Sequence, residues 1–108
     1  MSIRLINKDK PMNTLSTQDF ELKIQAEKEL ASLARRDFVK KQNEAFELYR
    51  EAIAIRNGEM FPHLGLQSRR MSFLSRIRLA KSALHFAKQY RSEYQDIVAY
   101  IGWLIENN

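Results

Sequence analysis

Between Thr17 and Arg56 the chain runs for forty residues without a proline or glycine, and its apolar residues recur at alternating spacings of four and three. Ile24, Ala31, Phe38, Ala45 and Ala52 form one heptad set. Phe20, Ala34, Leu48 and Ile55 form the other, with Glu27 and Lys41 as its polar members. Residues so spaced stack along one side of a helix, and no strand places side chains at that period. Ser16 with Asp19, or Thr17 by itself, supplies an N-cap, and Asn57-Gly58 directly after Arg56 supplies a stop. A helix over 17–57 is therefore expected. The alanines of the first set leave room for a second helix to come close.

That second helix is expected beyond a loop over 57–68, which carries Pro62 and Gly65. Ser68 is the expected cap. Phe73, Ala80, Ala87, Tyr94 and Ile101 continue one heptad set, and Ile77, Leu84, Val98 and Ile105 the other, interrupted by Arg91. The unbroken phase favours a single helix from 69 to 107. Against it stands Ser92-x-x-Gln95, which reads as a capping box and would divide the arm into helices 69–91 and 92–107. Both alternatives give an all-α protein built on a long antiparallel helical hairpin, in a single domain over 16–108. Residues 1–15, interrupted by Pro11, are expected to be a flexible arm. Leu79, Ala83, Phe86 and Tyr90 make a further apolar stripe on the second arm, and Tyr100 and Trp103 also lie off the seam. Two helices alone do not cover that surplus, so a homodimer or higher homo-oligomer forming a helical bundle is expected.

Charge points towards function. Residues 60–92 hold seven Lys and Arg and no acid; residues 1–59 hold eleven bases against ten acids, and 93–108 three acids and no base. The excess behind the net charge of +5 thus resides almost wholly in residues 60–92. At 100° per residue, Arg70, Arg78, Lys81, His85 and Lys88 fall on one side of the second helix, and Arg69 lies at its start. A basic stripe of this kind is suited to DNA or RNA, whose phosphates release counterions to it. The bland alternative is a solvated face, or one neutralised across the hairpin by Glu44, Glu47, Glu51 and Glu59.

Other functional classes have less in the sequence to carry them. Without cysteine, thiolate catalysis, disulfides and thiolate zinc sites are excluded. His63 and His85 have no neighbours that spell a triad or a metal pair, so no catalytic residue, metal site or cofactor is expected, and the protein is read as a non-enzyme. The longest apolar run, Ile97–Ile105, is nine residues, well under the roughly 18 that span a membrane. The expectation is a soluble cytoplasmic protein. Its leading function is regulatory nucleic-acid binding through 69–91. One alternative is an adaptor or inhibitor seated on an acidic protein surface, with Phe86, Tyr90, Tyr100 and Trp103 as anchors. The other is an oligomer that gathers its Lys and Arg around a small phosphorylated ligand.

One local resemblance is carried by Leu64-Gly-Leu-Gln-Ser-Arg-Arg-Met-Ser-Phe-Leu-Ser-Arg-Ile77. These fourteen residues resemble the turn and recognition helix of a helix-turn-helix protein, with Gly65 in the turn, Ser68 as cap, and Met71 and Leu74 turned inward. The resemblance implies a basic recognition helix led by Arg69 and Arg70. It departs from the family's pattern where Phe61 and Pro62 occupy the preceding helix.

Overall fold

A computed structural model describes residues 16–108; the arm expected over 1–15 lies outside the described residues. Two α-helices, α1 (Thr17–Arg56) and α2 (Leu66–Glu106), pack against each other as a hairpin, and no strand occurs among the described residues.

The ends of α1 are set by the residues that the sequence singles out. Asp19 N–H donates to Ser16 Oγ at 3.1 Å and Phe20 N–H to the Ser16 carbonyl at 2.8 Å, so Ser16 is the N-cap. At the other end Gly58 takes φ 78°, a left-handed value that glycine adopts without steric cost. Gly58 N–H donates to the Ile55 carbonyl (3.1 Å) and Glu59 N–H to the Ala54 carbonyl (2.9 Å), the paired bonds of a Schellman stop.

α2 differs from expectation at its start and in its middle. It begins three residues earlier than Ser68 would allow, because the Gly65 carbonyl accepts the first helical bond, from Arg69 N–H at 2.9 Å. Gly65 is the N-cap, and Ser68 is an exposed residue of the first turn. The helix also passes through Ser92 without a break, so there is no third helix over 92–107. A capping serine must leave helical geometry. Here the residues on both sides, free of Pro and Gly from Leu66 to Ile101, keep the i→i−4 ladder intact.

The described residues divide into two compact units, one comprising Arg35–Arg91, the other residues 16–34 together with Ser92–Asn108. Within Arg35–Arg91, the Arg56 guanidinium lies 5.8 Å from the Phe73 ring centre, Arg76 bonds Glu51, and Lys41 Nζ lies 5.7 Å from the Phe86 ring centre. Numbers fall on α1 as they rise on α2, so the arms are antiparallel. The core of this unit is small-residue packing: Ala45, Ala52, Ala80, Ala83 and Ala87 are buried, with Ile55 as the large side chain among them. In the other unit Ala31, Ala34 and Leu104 are buried, and Lys23 Nζ lies 5.5 Å from the Tyr100 ring centre.

On α1 the two expected heptad sets are the buried or half-buried ones throughout, Glu27 and Lys41 included. On α2 one set holds; of the other, Ile77 and Leu84 stay half-buried while Arg91, Val98 and Ile105 are exposed, and a further row packs on the opposite flank. The second row is Arg76, Ala83, Tyr90, Ile97 and Leu104, one residue before each expected position. Leu104 is 1% exposed and its neighbour Ile105 59%. Ala83 and Tyr90, assigned from sequence to a separate stripe, thus belong to the packed seam, whereas Leu79 and Phe86 remain exposed. The expected row was the more aliphatic one. Within Arg35–Arg91, Arg76 can sit at the seam because it finds Glu51 on α1 (Nε–Oε1 3.0 Å), and Ala83 permits close approach.

Candidate anion-binding face

Four cations and one histidine of α2 form a continuous exposed face within the Arg35–Arg91 unit. Arg70, Arg78, Lys81, His85 and Lys88 are all exposed and fall within about 80° of arc at 3.6 residues per turn. From Arg70 to Lys88 the row extends about 27 Å at 1.5 Å per residue. It is continuous because the underlying helix is unbroken, and it lies outward because the opposite side carries the Phe73–Ala80–Ala87 seam. His85 Nε2 is 3.3 Å from Gln89 Nε2, a contact within the same helix.

The acids of α1 do not neutralise this row among the described residues. Glu44 pairs with Lys41 at 3.2 Å, Glu47 with Arg50 at 2.7 Å and Glu51 with Arg76 at 3.0 Å. Each takes a partner on its own helix or on the seam, because those cations lie nearer than the outward face of α2. Glu59, the fourth acid considered for that role, is exposed.

Arg69 stands apart from the five. Its Nη2 donates to the Leu64 carbonyl at 3.4 Å, and its guanidinium packs against Gly58, where an added Cβ would lie 3.8 Å away. Its Nε is buried without a hydrogen-bond partner. Arg69 therefore ties the loop to the start of α2. Arg56 is the cation that sequence reasoning missed. It comes from α1 and reaches Phe73 only because the hairpin folds the end of α1 beside the start of α2. Its position as the last residue before the Asn57-Gly58 stop was the available signal.

The four aromatic residues considered as anchors divide between the units. Phe86 is 44% exposed, meets the His85 ring edge-on at 5.8 Å and carries Lys41 over its face. Tyr90 is half-buried in the seam. In the other unit Tyr100 and Trp103 are exposed, with near-parallel rings 6.1 Å apart.

The helix-turn-helix resemblance does not extend to the packing. Met71 and Leu74, the residues it turns inward, are 64% and 42% exposed, and Phe73 and Ile77 face α1 instead. Phe61 and Pro62 sit in the loop, with Phe61 at φ 52°, so no short first helix precedes the turn.

Among the described residues no group of three or more His, Asp or Glu comes together, and no helix is long and apolar enough to cross a membrane. The chain matches no family model, no curated protein and no solved structure.

Proposed function

We propose that this is a non-enzymatic regulatory binding protein that holds an anionic polymer, nucleic acid first, along the exposed face of α2. One observation carries the reading: Arg70, Arg78, Lys81, His85 and Lys88 share an exposed row while Glu44, Glu47 and Glu51 pair elsewhere. Contacts of this kind are to backbone phosphates and favour no particular base sequence. A cytoplasmic location is part of the reading, since a chain without cysteine has no need of an oxidising compartment. Titrating labelled random-sequence DNA and RNA at low salt tests it. Affinity should fall steeply as salt rises, and protein that ignores both polymers at low salt would sink the reading.

A second reading, an adaptor or inhibitor on an acidic protein surface, draws on the exposed Phe86 ring directly beside His85. Self-association accompanies either. Val39, Phe46 and Ile53, seven residues apart, leave an exposed apolar row on α1, as Leu79 and Phe86 do on α2. Sedimentation equilibrium showing monomer at all accessible concentrations would remove the oligomer from the proposal.

A further inference from the structure

Where α2 begins, Arg56, Leu66, Arg69, Arg70, Phe73 and Leu74 line a cavity of about 320 Å³. A second hollow, which adds Gln67 and Met71, adjoins it and shares Leu66, Arg70 and Leu74. Three cations and no acid line the first cavity, and its remaining walls are apolar. The two chemistries are ordered in space. The Arg56 guanidinium is held 5.8 Å from the centre of the Phe73 ring, so a charge stands against an apolar wall. Arg69 is engaged with the Leu64 carbonyl, leaving the exposed guanidiniums of Arg56 and Arg70 to meet a ligand. The first turn of α2 contains no acid, so its free amides add to the positive potential.

A neutral apolar molecule would leave the Arg56 and Arg70 guanidiniums without an anionic partner, and a small inorganic anion would leave Leu66 and Leu74 in water. A ligand with both parts satisfies both walls: fork geometry suits a carboxylate or phosphate, and the leucines and Phe73 suit a chain or ring. We propose that this cleft binds an acidic amphiphile, a small molecule with one carboxylate or phosphate group and an apolar body. The cleft shares Arg70 with the basic row, but Arg56, Phe73 and Leu74 lie outside that row, so variants at Arg56 and Leu74 test the cleft apart from nucleic-acid binding.

The test is calorimetric titration of the full chain with decanoate and with decyl phosphate, both below their micellar concentrations, against decanol and acetate. One-to-one binding of a decyl anion is expected, at least about tenfold tighter than either control. Preference for one anion assigns carboxylate or phosphate. Arg56→Gln should weaken binding about tenfold by removing one charge-assisted hydrogen bond. Leu74→Asn should weaken it while leaving every cation in place, and circular dichroism should show both variants fully helical. Equal binding of decanol and decanoate would reduce the cleft to an apolar patch and overturn the proposal. Binding indifferent to both substitutions, or absent for both decyl anions, would overturn it too.

Discussion

Arg76 Nε donates to Glu51 Oε1 at 3.0 Å, linking α2 to α1 at the seam position where a charge replaces an apolar side chain. Both side chains keep about a third of their surface in water, so the pair lies between an exposed ion pair and a buried one. Glu51→Gln should cost about 1–2 kcal/mol in urea unfolding, below the 3–5 of a fully buried pair. Replacing both residues by leucine should recover that loss or exceed it. Additive losses in the double-mutant cycle would show that the pair is not coupled.

The register of α2 predicts opposite results for adjacent residues. Leu104→Ala should destabilise by about 2–5 kcal/mol, as expected for a buried leucine. Ile105→Ala should stay within about 0.5 kcal/mol. Thermal unfolding of the two variants decides the matter, and a reversed order would restore the more aliphatic flank as the packed one.

That register marks where the sequence stops being legible. The α1 seam could be read because its apolar residues occupy both heptad sets. The α2 seam could be read only in part: Val98 and Ile105 look like core as much as the half-buried Ile77 and Leu84 do, yet are exposed, whereas Arg76 and Ala83 do not look like core. Their burial depends on Glu51 and on close approach by α1, which are properties of the pair of helices and not of α2. The start of α2 was misplaced for a similar reason, since Ser68 is the stronger capping residue but the Gly65 carbonyl takes the first bond. Among the candidate residues, the exposed placement of the five in the basic row is legible from helical period alone. Arg56 is not, because its place beside Phe73 exists only once the hairpin has closed.

Gly58→Ala should destabilise by about 1–2 kcal/mol, the cost of placing a side chain at left-handed φ. Space is not the cause, as the new Cβ would meet the Arg69 guanidinium at an ordinary 3.8 Å. Gly65→Ala, which meets nothing within 4 Å and lies at ordinary φ, should cost only the N-cap preference for glycine over alanine, under about 1 kcal/mol. Chemical denaturation of the two variants separates the backbone effect from crowding.

The basic row is tested by replacing Arg78, Lys81 and Lys88 with Gln together. Binding should weaken across unrelated nucleic-acid sequences, and the salt slope should flatten by about 0.9 per lost phosphate contact on duplex DNA, or about 0.7 on single strands. Stability should change by no more than about 0.5 kcal/mol for each exposed charge. A large loss of stability would mean that these cations hold the hairpin together.

The Schellman stop at Gly58 also sets the order in which the Arg35–Arg91 arms can join. Arg56 and Phe73 are 17 residues apart (73 − 56), whereas Lys41 and Phe86 are 45 apart (86 − 41). Closing the longer loop first costs about 0.9 kcal/mol more chain entropy than closing the shorter one. The arms are therefore expected to zip outward from the turn, each contact shortening the loop left for the next. Changes at the turn should slow folding, whereas changes near Lys41 and Phe86 should chiefly hasten unfolding.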